Sequence, residues 1–315
     1  MYQSSGFPLV PFVLAAFLGT HGLRRRSLSP SGAIAAFIVG FSMMAVPLRA
    51  FGVSLIVFYL VGSRATKVGK QLKASLEEGH QDAGYRSAAQ VLCNSASAFG
   101  ASLLWSALFV PGSVLAHLSS DALPIPPQSA YDPAEWCPLV PPAAAAWSRP
   151  LLFVTLGHFA CCLGDTLASE LGILSRSPPI LITTLKPVPP GTNGGMSLAG
   201  TLASLAGGLV MGLTLTASLL FESDACRARW PDVVVPLVAW GTAAGGLGSL
   251  LDSFMGATIQ RTRYSNTTKR ILTDETPVSA SDADLKVISG LNILTNNQVN
   301  LLSSVVVGLV LGAIA

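Results

Sequence analysis

The chain has 315 residues, 50% of them hydrophobic and only 11% charged, with a mean hydropathy of +0.57. That composition excludes an ordinary water-soluble domain, and a net charge of +3 is too small to point to nucleic acid as a partner. At about 20 residues per bilayer crossing, the length leaves room for about seven to eight spans, so the expected fold is an all-α, multi-pass transmembrane helical bundle forming a single integral membrane domain over 1–315.

The chain opens with MYQSSGFPLV and runs directly into apolar sequence without a basic leader, so the first span is expected to be retained. Apolar stretches follow near 7–23, 32–48, 50–62, 88–110, 150–168, 195–221, 232–256 and 299–315, the third being the shortest. Between them lie polar segments at 63–87, 112–148, 169–194, 222–231 and 257–298, of which 112–148 is rich in Pro and Ala and expected to be irregular. With eight spans counted, one side collects 15 of the 19 basic residues, from Arg24, Arg25 and Arg26 through Arg64, Lys67, Lys70, Lys73 and Arg86 to Lys286. The other keeps only Arg49, Arg149, Arg227 and Arg229. The positive-inside bias therefore predicts cytosolic loops at 63–87, 169–194 and 257–298, with both termini outside.

Glycines inside the spans, such as Gly207, Gly208, Gly212, Gly241, Gly245 and Gly248, suit close helix packing where lipid gives no hydrophobic drive. The five cysteines show no Cys-x-x-Cys spacing; Cys161 and Cys162 sit in an apolar run as inert thiols, and Cys137 and Cys226 are able to pair if both face an oxidising lumen. His21, His80, His117 and His158 are scattered, which argues against a histidine-centred metal site or a Ser-His-Asp triad.

The residues able to do chemistry cluster at the basic ends of the spans. Gly164-Asp165-Thr166-Leu167-Ala168-Ser169-Glu170 ends an otherwise apolar run. A carboxylate so close to lipid is costly and calls for a metal or a base. On an unbroken helix Asp165 shares a face with Ser169, whereas Asp165 and Glu170 diverge by about 140°, so both acids reach one ion only if the helix breaks. Next, Lys186-Pro187-Val188-Pro189-Pro190-Gly191-Thr192-Asn193-Gly194-Gly195 precedes an apolar run: Lys186 offers a point charge, and the backbone from Thr192 through Asn193 and Gly194 to Gly195 can offer N–H groups to a phosphate or serve as a plain linker. Asp252-Ser253 ends another span and supplies either the second arm of a metal site or an acid that pairs with Arg261 or Arg263. Finally, Asn292, Asn296 and Asn300 repeat every four residues as one amide stripe, as do Gln90 and Asn94.

In combination and in this order, Gly164-Asp165-Thr166 with Ser169-Glu170, Lys186 through Gly195, Gly248 through Thr258, and Asn296-Asn297 with Asn300 resemble the transmembrane protein 19 family. Ser63-Arg64-Ala65-Thr66-Lys67 and Arg86 with Gln90-Val91-Leu92-Cys93-Asn94 extend the resemblance to about 20–312. The family includes a chloroplast phytyl-phosphate kinase, and similar membrane kinases use CTP. The resemblance thus implies phosphoryl transfer from a nucleoside triphosphate, with CTP expected, to a prenyl phosphate in the bilayer. Asp165 and Asp252, with Glu170 third, would be Mg²⁺ ligands; Lys186 and the backbone at 192–195 would hold phosphates, and Asn296 and Asn300 would position the acceptor. The competing expectation is a transporter or scaffold without turnover. Because no transit peptide is evident, the endoplasmic reticulum is expected over the plastid.

Overall fold

The computed structural model describes residues 7–78, 84–120, 129–272 and 284–315. The helices are α1 (Leu9–Arg24), α2 (Pro30–Ala45), α3 (Ala50–Ala65), α4 (Lys70–Leu76), α5 (Ala88–Cys93), α6 (Ala96–Phe109), α7 (Val114–Ser120), α8 (Ser148–Gly172), α9 (Leu198–Glu222), α10 (Asp224–Ala228), α11 (Trp230–Thr258) and α12 (Asn296–Ile314). Several begin where the sequence offers a cap. Ser29 accepts from the Gly32 N–H ahead of Pro30 in α2, Ser87 and Gln90 form a capping box on α5, and Thr295 and Gln298 form another on α12.

Four helices, α8, α9, α11 and α12, are long and apolar enough to cross a membrane. Counting α3 and α4, which meet at a 71° bend, as one broken span makes five. The chain is therefore a helical multi-pass membrane bundle, but the expected seven to eight spans are not reached on length: α1, α2 and α6 are apolar but shorter. The structure is almost entirely helical, as expected, with a small sheet added where the polar segment near 257–298 was expected as a loop. Strands β4 (Thr262–Ser265), β5 (Arg270–Leu272) and β6 (Leu285–Ser289) join β1 (Glu77–Glu78) in a sheet of order β1-β5-β4-β6, and β2 (Ile180–Leu181) pairs antiparallel with β3 (Gly195–Met196). The physical reason is pairing between segments: β4 pairs antiparallel with both β5 and β6, and the pairing buries Ile271, Leu272 and Ser289 while Val287 stays exposed.

Helix α8 is central, packed on α3, α6, α9, α11 and α12. Its neighbours are held by backbone contact. A Cβ added at Gly164 of α8 would lie 2.6 Å from the Gly245 carbonyl oxygen of α11, and one at Gly207 of α9 would lie 2.9 Å from Gly164 Cα. Gly208 of α9 in turn faces the Gly241 carbonyl of α11, at 2.1 Å from an added Cβ. Lipid offers no hydrophobic drive for helix association, so this close approach supplies the packing energy.

Chain direction sorts the bundle ends. The α8 start lies beside the α12 end, where Arg149 Nε donates to the Ala315 carbonyl at 3.1 Å, and the α3 start lies beside the α9 end, where the Arg49 N–H donates to Glu222 Oε2 at 3.0 Å. The disulfide between Cys137 and Cys226 sits at this same end, pinning the 129–147 segment to the α9–α10 junction. The opposite end gathers the α8 and α11 C-termini and the α9 and α12 N-termini.

Gly208→Ala is expected to force α9 and α11 apart at a cost of about 1–3 kcal/mol, lowering the apparent Tm in detergent. Gly100→Ala is the control, because its added Cβ meets nothing within 4 Å. Thermal unfolding followed by size-exclusion chromatography of both variants checks this.

Candidate functional site

At the end where α8 and α11 finish, a cleft of about 580 Å³ opens. Asp165, Ser169 and Glu170 of α8 line it, together with Ser249, Asp252 and Ser253 of α11, the turn 190–196, and Thr295, Asn296 and Asn297 at the start of α12. Ile271 and Leu272 of β5 border it too, so the small sheet forms part of the wall.

The two aspartates carry a defined hydrogen-bond shell. Ser249 Oγ donates to Asp165 Oδ1 at 3.4 Å, and Ser303 Oγ donates to Asp252 Oδ2 at 2.8 Å. With its amide nitrogen turned inward, the orientation its surroundings satisfy, Asn300 donates to Asp252 Oδ2 and to the Asn296 carbonyl, both at 3.2 Å. Asp165 and Asp252, from α8 and α11, line the same cleft. Two partly desolvated like charges in one cleft are unfavourable unless a cation or proton joins them.

Glu170 has a different role. Helix α8 stays unbroken through Gly172, so Glu170 diverges from Asp165 and meets Lys73 of α4, its Oε2 accepting from Lys73 Nζ at 2.5 Å. Lys73 is almost fully buried and also donates to the Ala65 and Thr66 carbonyls, both at 3.4 Å. The residue was legible only as one of many basic loop residues; what singles it out is the bend between α3 and α4, which carries it over the α8 end.

The turn 192–195 reaches the cleft, but its donors are mostly spent. The Thr192 N–H donates to the Pro189 carbonyl, Gly195 to the Thr192 carbonyl, and Asn193 to Thr262 Oγ1 at 3.2 Å. Among the described residues, the Gly194 N–H makes no such bond. Gly194 has φ +77°, and a Cβ there would lie 2.5 Å from the Ser253 carbonyl oxygen, so a glycine is required for the turn to dock on α11. Lys186 is not brought in: it is exposed in the turn after β2 and does not line the cleft.

Arg86 is a further residue the cleft end orders. Its backbone ties the α1–α2 turn, donating to the Ser27 carbonyl and accepting from Ser29 N–H, both at 3.0 Å. The guanidinium donates to Ser63 Oγ at 3.1 Å and Thr66 Oγ1 at 3.3 Å. Burial pulls it below the ordinary arginine value, and Tyr59 and Glu170 oppose that shift. Of the histidines, His158 is buried, with its Nδ1 2.8 Å from Ser97 Oγ, and His80 lies outside the described residues. Among the described residues, no three His, Cys, Asp or Glu side chains gather to hold a metal by themselves.

The family model described as integral membrane protein DUF92 matches residues 13–308. The chain belongs to this family, the transmembrane protein 19 family of the resemblance. A protein named PGR from Arabidopsis thaliana is 36% identical over 306 residues, covering 96% of this chain and 94% of that one. The membrane protein sll0875 of the cyanobacterium Synechocystis is 27% identical over 82% of this chain and 83% of its own length. Arabidopsis VTE6, whose name marks it as chloroplastic, is 28% identical over 80% of this chain and 61% of its own. No solved structure matches. These relatives overturn the expected endoplasmic reticulum location: one of them is named as chloroplastic and another is cyanobacterial. The expectation rested on the apolar start of the sequence, which carries no information about a leader ahead of it.

Lys73→Met is expected to strand the Glu170 carboxylate and cost about 3 kcal/mol. Lys73→Met combined with Glu170→Gln should recover most of that loss, a coupling read from the chemical denaturation midpoints of the single and double variants.

Proposed function

We propose that this chain is a membrane prenyl-phosphate kinase, transferring the γ-phosphoryl group of a nucleoside triphosphate, with CTP the favoured donor, to an isoprenoid monophosphate such as phytyl phosphate. Membership of the family supports the reaction class. The observation that carries the site is the cleft itself, where Asp165 and Asp252 from two spans open beside the Gly194 turn and Asn296. Such a place suits a reaction whose lipid substrate stays in the bilayer while the nucleotide arrives from water.

In the reaction a terminal oxygen of the prenyl monophosphate attacks the γ-phosphorus, the bond from that phosphorus to the β-phosphate bridging oxygen breaks, and a nucleoside diphosphate leaves. Prenyl diphosphate is the product. Catalysis of this kind is positioning and charge neutralisation. Asp165 and Asp252 would hold Mg²⁺, which when bound offsets the phosphate charge. The donor set fits that ion, because one or two carboxylates plus substrate phosphates is its usual environment and the cleft lining contains neither Cys nor His. Ser249, Ser303 and Asn300 orient the two carboxylates. The Gly194 amide binds phosphate and Asn296 the acceptor. Glu170, held by Lys73, orders the cleft wall rather than the cation, and Lys186 draws nucleotide from solution as a distant charge.

The same reading makes α1, α2 and α6 crossings of a locally thin bundle, which with α3 and the four long helices gives eight spans in one integral domain. The loops 63–87, 169–194 and 257–298 then share the nucleotide side.

Purified protein incubated with labelled CTP or ATP, Mg²⁺ and phytyl or geranylgeranyl phosphate is expected to form the diphosphate. Asp165→Asn and Asp252→Asn should each lower kcat by about 10²–10³, the scale of losing one preorganised electrostatic contact, without loss of the folded peak on size exclusion. Absence of product with every prenyl phosphate and nucleotide tried overturns the kinase and leaves the transporter or scaffold alternative.

A further inference from the structure

A second cavity lies between α1, α2, α3 and α5, with Thr166 of α8 in its lining. Its walls are apolar, formed by Leu18, Val39, Met44, Ile56 and Phe58, and its inner end is polar, formed by Arg86, Gln90, Asn94 and Thr166. Gln90 borders both this groove and the acidic cleft, and Thr166 follows Asp165 directly. The apolar groove and the reaction cleft thus adjoin at a polar neck: Gln90 lines both, and Arg86 of the groove donates to Thr66 Oγ1 of the cleft wall.

Arg86 stands at that neck. Among the described residues its side-chain hydrogen bonds go to neutral hydroxyls, those of Ser63 and Thr66. Among the described residues no carboxylate is in ion-pair contact with it. Its backbone is locked to the α1–α2 turn, where a Cβ on Gly32 would come within 2.0 Å of the Arg86 carbonyl oxygen. An arginine fixed by its backbone and bonded to hydroxyls among the described residues, set where an apolar groove meets an acidic cleft, matches an anionic head on an apolar tail.

Resting on the kinase reading, we propose that this groove is the acceptor subsite: it takes the isoprenoid chain of the prenyl monophosphate, and Arg86 binds that phosphate at the neck. With the phosphate at the neck, the first isoprene unit is the part of the tail that meets the apolar lining of the groove.

The test uses the full chain in nanodiscs with geranylgeranyl monophosphate carrying a diazirine on its first isoprene unit. Photolabel is expected on peptides spanning 36–44 or 55–62, competed by unlabelled geranylgeranyl phosphate and by neither geranylgeraniol nor phosphatidic acid at equal concentration. Gly40→Leu is placed to fill the groove from α2, where an added Cβ meets Met44 Cε at 3.7 Å and Ala15 Cβ at 3.9 Å, and a folded peak on size exclusion shows that the variant keeps its structure. It should reduce labelling by about tenfold or more, the discrimination a filled apolar pocket gives. Arg86→Gln should weaken competition by the phosphate by about tenfold, with Arg86→Lys recovering part of it. Label on α9 or α11, equal competition by phosphatidic acid, or unchanged labelling in Gly40→Leu overturns the subsite. The labelling needs no turnover, so a chain that labels as expected yet forms no diphosphate refutes the kinase and not the groove, and a chain that turns over while labelling elsewhere does the reverse.

Discussion

Backbone contact among three helices is the constraint from which the rest follows. Gly164, Gly207 and Gly245 bring α8, α9 and α11 so close that a single Cβ at any of them would overlap a neighbour's main chain. In lipid this contact substitutes for the hydrophobic effect that would drive packing in water. It also fixes the chemistry, because Asp165 is the residue next to Gly164, and Asp252 lies one helical turn beyond Gly248, whose added Cβ would meet Cys161 Sγ at 2.6 Å. The helices cannot rotate without losing the glycine seam, so the carboxylates are held facing one cleft.

The bundle is polarised along its axis. One end carries the disulfide, the Arg49 contact to Glu222 and the aromatic group of Trp105, Phe109, Tyr131 and Trp136, all of which tie loops to spans. The other carries the acids, the amide stripe, the Lys73–Glu170 pair and Arg86. Rigidity is concentrated at the first end and unsatisfied charge at the second. Such a division suits a membrane protein that must present charge to water without loosening its core.

Charge at the site end is also partitioned. Lys73 neutralises Glu170 inside the protein, whereas among the described residues Asp165 and Asp252 receive hydroxyl and amide donors. Neutral donors orient a carboxylate without cancelling its charge, so the pair stays able to attract a cation. The bend between α3 and α4 is what separates the two classes of acid, by delivering a lysine to one and not to the others.

The sequence by itself determined the membrane class, the uneven distribution of basic residues along the chain, and the segments bearing Asp165, Asp252, Gly194 and Asn296. Each is local: hydropathy and the cost of a carboxylate near lipid act within one or two turns of chain. Even the divergence of Glu170 from Asp165 was legible, since it follows from helical period alone. What only the tertiary structure decided involves partners distant in sequence. Lys73 meets Glu170 across 97 residues, the amides of Thr192, Asn193 and Gly195 are consumed by the fold, and Lys186 stays outside the cleft. The strands from the 257–298 segment form because they find each other and Glu77–Glu78. No periodicity announces such pairings, because their energy comes from the encounter and not from the segment.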